Sequence, residues 1–283
     1  MVLRLVPRRG LALAGATLGA LTLFPAGLAP ATPAGAAGPS GPSLASQPTT
    51  QQVAAPAVVP SVDPALPLAG ITVAIDPGHN PGNFSHPRQI NKRYWVGLWK
   101  TCNTTGTATN SGYREANYTW AVQRVLRARL TALGATVVVD RGARTPAYGP
   151  CVRERGRFGT AEGADLKISI HADGGPASGR GFHVIAPRPY VGYTDDIAKP
   201  SRRLATAVVA GMIAAQFRPA TYLSTPIQVR KDQGTLNMSD VPTVIVETLN
   251  MRNSRDAAIA TSKAGRARVA DGLLRGIRGY LGR

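Results

Sequence analysis

From residue 71 onward the chain alternates short β-branched runs with longer stretches of helical period. Ile71, Val73 and Ile75 form a run too short for a helix, and Pro77-Gly78 ends it in a turn that delivers His79 just past the end of a buried strand. Over residues 115–133, Ala121, Val122, Val125, Leu126, Leu130 and Leu133 recur at helical spacing, Arg124, Arg127 and Arg129 take the polar side, and Gly134 is the stop. Glu115 then sits in the first turn, where a carboxylate also has the ordinary role of complementing the positive helix terminus. Residues 135–139 read as a second strand ending in Asp140-Arg141, and a helix is expected over 149–162. The run 166–170 is again strand-like and again ends in a histidine, His171. Further strands are expected at 181–186 and at 241–247, the last ending on Glu247. Between them a helix over 195–217, broken near Pro200, places Leu204, Val208, Met212 and Ile213 on its buried side. A C-terminal helical region with Ile277 and Leu281 inward closes the fold, which is of the α/β class.

The front of the chain follows a different pattern. Arg4, Arg8 and Arg9 precede an apolar run from Leu11 to Leu28 and a small-residue site at Ala34-Gly35-Ala36, so residues 1–36 read as a signal peptide. Gly and Ala dominate that run and Pro25 interrupts it, which disfavours a membrane span. The protein is therefore expected to be exported to the periplasm, cell wall or extracellular space, and the adjacent arginines also permit the twin-arginine route. Residues 37–68 are rich in Pro, Ala, Ser and Thr, carry Asp63 as their one charge, and read as a disordered linker. Residues 69–283 are left as the functional domain, and no second interface-like stripe is apparent, so a monomer is expected.

Charge and cysteines narrow the setting. From residue 70 onward 30 Lys and Arg face 14 Asp and Glu, a balance that favours anionic partners such as envelope polymers, or describes only a soluble arginine-rich surface. Export removes most of the case for nucleic acid. Cys102 and Cys151 are the two cysteines, an even count that suggests a disulfide in an oxidising compartment, two buried free thiols being the alternative. The polar insert at 80–112 holds Tyr94, Trp95 and Trp99 and is expected to be a loop or small hairpin tethered through Cys102. Its aromatics suit a lid, a sugar-stacking surface, or a satellite hydrophobic cluster.

The order His79, Glu115, His171, Glu247 can be read as a mononuclear zinc site. Two imidazoles and one carboxylate supply three ligands and leave a position open for water, which is the pattern of a catalytic rather than a structural zinc. Glu247, at the end of a buried strand, suits the general acid/base that moves the water's proton to a leaving nitrogen. His86, beside Pro87 in the insert, reads as solvated, and His183, alternating with Phe182 and Val184, as facing the side opposite to theirs, near the cleft, with a role at the substrate as one alternative.

Asp76-Pro-Gly-His79, Glu115 after Gly112, Asp140-Arg141, Ser169-Ile-His171-Ala-Asp173 and Pro242-Thr-Val-Ile-Val-Glu247 together resemble the zinc-dependent N-acetylmuramoyl-L-alanine amidases of type 3. The resemblance covers residues 70–283. It implies a single catalytic domain with a twisted, roughly six-stranded mixed sheet and helices on both faces. It also implies one zinc ion per chain on His79, Glu115 and His171, Glu247 as the catalytic residue, and peptidoglycan or muropeptides as substrate. The implied reaction is hydrolysis of the amide between N-acetylmuramic acid and the L-alanine of the stem peptide. Two other readings compete: a zinc peptidase cutting within the stem peptide, and a noncatalytic protein that holds the envelope through its basic face.

Overall fold

The computed structural model describes residues 66–142 and 146–283; the expected leader, and all but the end of the expected linker, lie outside the described residues. The first strand is β1 (Thr72–Pro77), followed by a 3-10 turn at Pro81–Ser85 and a short α1 (Pro87–Ile90). The rest of the insert forms a hairpin, β2 (Arg93–Trp95) and β3 (Trp99–Thr101), before α2 (Glu115–Ala132), β4 (Thr136–Val139) and α3 (Val152–Arg157). Then come β5 (Leu166–Asp173), β6 (His183–Pro187), α4 (Ala198–Ala214), β7 (Ile227–Arg230) and α5 (Gly234–Asn237). The chain closes with β8 (Thr243–Asn250), α6 (Ser254–Thr261) and α7 (Lys263–Leu281).

Six strands make a mixed sheet in the order β4-β1-β5-β8-β6-β7. Strands β4, β1, β5 and β8 run parallel, and β6 and β7, parallel to each other, oppose β8. Because side chains alternate along a strand, the register sorts the sheet into two unlike faces. Val73, Ile75, Leu166, Ile168, Ile170, Val244 and Val246 join the main core with α2, α4 and α7. The other face carries Asp76, Lys167, Ser169, His171 and Glu247, with α3 and α5 laid over it and a small cluster of Ile185, Leu236 and Ile245. One face stabilises the sheet by apolar burial, and the other holds polar groups where β1, β5 and β8 present their carboxyl ends.

Three expected elements differ. The helix over 149–162 shrinks to α3, because the buried Lys167 ammonium takes the carbonyls of Arg155 and Phe158, at 3.1 and 2.9 Å, and Phe158 turns extended. Pro200 does not break α4; it is the third helical residue, in the turn whose N–H groups have no intrahelical partner. Ile213 is half-exposed rather than buried. Strand β7, whose residues were not recognised from their pattern, completes the sheet.

Candidate active site

His79 lies at φ 60, a backbone state that a residue with a side chain adopts only when its surroundings enforce it. Two buried arginines do so: the His79 carbonyl accepts from Arg141 at 3.0 Å and from Arg155 at 2.7 Å. Its ring is oriented from the other side. Nδ1 lies 3.0 Å from the Thr104 carbonyl, and since a carbonyl only accepts, Nδ1 donates there and Nε2 is the nitrogen left to face the site. That Nε2 faces Glu115 Oε2 at 3.2 Å.

Glu115, the first residue of α2, is almost fully buried. Its Oε2 accepts from the Thr107 N–H at 2.9 Å and its Oε1 from the Ala172 N–H at 3.0 Å. His171 Nδ1 stands 3.0 Å from the same Oε1. Burial alone would raise this carboxyl, but His79 and His171 outweigh it and hold Glu115 well below the ordinary carboxylate range. His79 is in turn pushed up by Glu115 against the opposing effect of its own burial. The two imidazoles meet edge to face with centroids 4.8 Å apart.

Among the described residues, His79, Glu115 and His171 are the group of His, Cys, Asp and Glu close enough to hold a metal ion, their ligand atoms lying within 4.8 Å of one another. Two imidazoles and a carboxylate are zinc donors, and tetrahedral bonds of about 2.0–2.1 Å set donor atoms about 3.3 Å apart. Each imidazole lies near that spacing from one carboxylate oxygen, His79 at 3.2 Å from Oε2 and His171 at 3.0 Å from Oε1. The backbone makes room for it: a Cβ on Gly78 would overlap the His171 ring, and one on Gly106 would come within 2.7 Å of Glu115 Oε2 and 2.8 Å of the His79 ring.

Glu247 is the register partner of His171 on β8 and so shares its face. Part of the residue is open, but Oε2 is cut off from water and has no hydrogen-bond partner. Burial, then the charges of Glu115 and Asp173, raise this carboxyl well above its ordinary value, with Arg230 opposing. On the next strand β6 the partner of Glu247 is His183. His183 therefore faces away from its neighbours Phe182 and Val184, which join the main core, and toward the Glu247 side, as its alternation with them predicts. His183 is buried with Nδ1 unpartnered, and burial lowers its pKa against the pull of Asp173. Behind it Tyr222 stands edge to face and donates to Asp173 at 3.0 Å. His86 is away from this group, its Nδ1 2.7 Å from the Gly82 carbonyl and its ring tilted on Tyr148.

Beneath the site is an ionic layer that sequence reasoning missed apart from the motif residues Asp76, Asp140 and Arg141. Arg155 donates to Asp76 and to the Gly149 carbonyl, and lies 3.5 Å from Asp140. Ser169 donates to Asp76 at 2.7 Å. Burial pushes Asp76 up, but Arg155 leads the groups that pull it far below the carboxylate range. Asp140 is raised well above it by burial, by the Asp76 charge and by a hydrogen bond to Asp76. Lys167 is lowered to about 8 by burial, despite four nearby carboxylates. Arg155 carried a signal only in retrospect, as an arginine that a six-residue helix turns toward the sheet.

Cys102 and Cys151 form a disulfide. It ties the segment leading to Thr104 against the start of α3, where Val152 N–H also donates to the Cys102 carbonyl at 2.7 Å. Above the site opens a cleft of about 220 Å³ reached by His79, His171, Thr101 and Thr104.

A family model described as N-acetylmuramoyl-L-alanine amidase matches residues 73–279. An N-acetylmuramoyl-L-alanine amidase of Mycobacterium tuberculosis is 40% identical over 216 residues, which is 76% of this chain and 88% of that relative. Among solved structures, the N-acetylmuramyl-L-alanine amidase of Mycobacterium smegmatis superposes with a TM-score of 0.71 at 38% identity, over 76% of this chain and 98% of that one. The apo form of the amidase of Mycobacterium abscessus gives a TM-score of 0.70 at 39% identity, over 76% of this chain and 100% of that one.

Proposed function

This chain belongs to the type 3 N-acetylmuramoyl-L-alanine amidase family, and from that premise we propose that it hydrolyses the amide between N-acetylmuramic acid and L-alanine using one zinc ion held by His79, Glu115 and His171. The observation that carries the reading is the donor cluster itself, with a raised and unpartnered carboxyl, Glu247, on the same sheet face. Zinc supplies Lewis acidity, which polarises an amide carbonyl and makes water nucleophilic near neutral pH.

The rest falls to the chain. His79 and His171 remain neutral donors, and Glu115 contributes the one negative charge of the set. Glu247 takes a proton from the attacking water and passes it to the departing nitrogen, so the new C–O bond ends in the lactyl carboxylate and the broken C–N bond in the free amine of L-alanine. A carboxyl whose proton affinity is raised by burial can hold that proton between the two transfers. His183, neutral and on the same face, is placed to donate or accept at the substrate. We place the enzyme in the cell envelope as an exported monomer acting on peptidoglycan or muropeptides, with its basic surface able to meet anionic envelope polymers. No helix among the described residues is long and apolar enough to cross a membrane.

The test is incubation of the purified protein with muramyl dipeptide, with mass spectrometry of the products and metal analysis of the protein. Intact dipeptide with a free L-alanine amine, released by the parent and not by Glu247→Ala, supports the amidase. Cleavage inside a longer stem peptide would point to a peptidase instead, and a protein that binds no zinc would remove the proposed centre.

A further inference from the structure

The β2–β3 hairpin presents Trp95 and Trp99 as a registered cross-strand pair, their rings edge to face at 5.6 Å and both about half exposed. Five large hydrophobic side chains are strongly exposed among the described residues, and these are two of them. Apart from the Trp95 Nε1–H, the tryptophans are not what holds the hairpin down. Val96 in the turn is fully buried, and its carbonyl accepts from Asn237 at 3.0 Å. Tyr190 donates to the Gly97 carbonyl at 3.0 Å, Trp95 Nε1 donates to Tyr193 at 3.0 Å, and the disulfide fixes the hairpin's end. Two indoles are thus left about half exposed on a rigid support, an apolar exposure that costs free energy.

The direction of the hairpin says what the patch is for. Side chains alternate along a strand, so Arg93, Trp95, Trp99 and Thr101 share one face, and Thr101 lines the catalytic cleft; Lys100 reaches the cleft from the other face. Thr101 is two residues from Trp99, about 7 Å along the strand. That is about one to two pyranose rings. Arg93 lies over the Trp99 ring at 5.8 Å and adds hydrogen-bond donors at the rim.

We propose that Trp99 and Trp95 form a saccharide subsite that stacks the apolar face of a pyranose ring of the glycan strand, one or more sugars away from the muramic acid being cleaved. This rests on the amidase reading for its link to turnover. Aromatic faces give such contacts most of their strength, and a stack of this kind is worth about 3- to 10-fold in binding per ring.

Two measurements test it separately from the amidase reading. Chitotetraose, which has no amide to a peptide, is titrated against the parent, Trp99→Tyr and Trp99→Leu by calorimetry. Binding by the parent and Trp99→Tyr, weakened about 3- to 10-fold in Trp99→Leu, is expected; no binding by the parent, or equal binding by all three, overturns the subsite. The ratio of kcat/KM for a four-sugar muropeptide to that for muramyl dipeptide is then compared, and it should fall by the same factor in Trp99→Leu and recover in Trp99→Tyr. An unchanged ratio overturns the subsite. Failure of every protein to cleave either substrate counts against the amidase reading instead, while the titration still decides the subsite.

Discussion

Asp76 and Asp140 face one guanidinium yet are driven in opposite directions, and replacing each by asparagine separates their contributions. Asp76→Asn leaves Arg155 buried beside an amide and weakens the acceptor for Ser169. Breaking one partner of a buried pair costs about 3–5 kcal/mol, which at about 2–4 °C per kcal/mol lowers the melting temperature by about 6–20 °C. Asp140→Asn replaces a protonated carboxyl 3.5 Å from Arg155 by an amide that can still donate to Asp76, so a change within about 1 kcal/mol is expected at acidic pH. The pH dependence distinguishes them further. The folded pKa of Asp140 is raised, so its contribution is complete below the unfolded value of about 4 and is lost as pH rises through the folded pKa. Asparagine suffers no such loss, and Asp140→Asn should gain on the parent as pH rises. The folded pKa of Asp76 is depressed, so its contribution is present above about pH 4 and is lost only as pH falls through that lower value. The Asp76→Asn deficit should therefore persist between about pH 5 and about pH 8. Thermal unfolding followed by circular dichroism for the parent and both variants at these two pH values is the assay. Equal losses in the two variants, or an Asp140→Asn deficit that widens with pH, would refute the assignment of charge to Asp76 and of the proton to Asp140.

Glu247→Gln should lower kcat by about 10²- to 10⁴-fold while bound zinc stays at the parent level. Because Glu247 must be ionised to accept the first proton and its carboxyl is raised, the acid limb of kcat/KM should lie above the ordinary glutamate pKa of 4.5; a limb at or below that value would contradict the burial argument. Gly106→Ala introduces a Cβ against Glu115 and the His79 ring at a positive φ of 74, so zinc affinity measured by competition with a chelator should fall by about 10- to 100-fold; parent-like affinity would mean the loop yields freely. Paired Cys102→Ser and Cys151→Ser changes open a loop spanning 49 positions, so a stability loss of about 4 kcal/mol in the chain-entropy model should appear as a lower denaturant midpoint.

Much of the candidate site was legible because the residues concerned sit at the ends of strongly patterned segments. His79 and His171 follow β-branched runs, Glu115 begins an amphipathic helix, and Glu247 belongs to the run Val244-Ile245-Val246, so one-dimensional period placed all four near element ends. What period cannot supply is pairing between strands. Alternation with Phe182 and Val184 set the side of His183, but its pairing with Glu247 came only with the register, and β7 has only four residues, too few for alternation to stand out. The reach of Lys167 into the end of α3 was equally hidden, since a lysine in an apolar strand gives no notice of which carbonyls it will find. Ile213 failed for a related reason: α4 has one face on β6 and another on α7, and the boundary of its solvent side is set by those neighbours.

The parallel centre of the sheet has a consequence for when the site comes into being. His79 follows β1, His171 lies in β5 and Glu247 in β8, and these strands are adjacent in space although long stretches of chain separate them. Parallel neighbours cannot be zipped locally by a tight turn, so each closure waits on the chain between. Glu115 joins only when α2 docks across β1 and β5. Until then the chain has scattered imidazoles and no donor cluster. The group of His79, Glu115 and His171 exists only after the central strands have met, so any metal ion it would hold is bound late in folding.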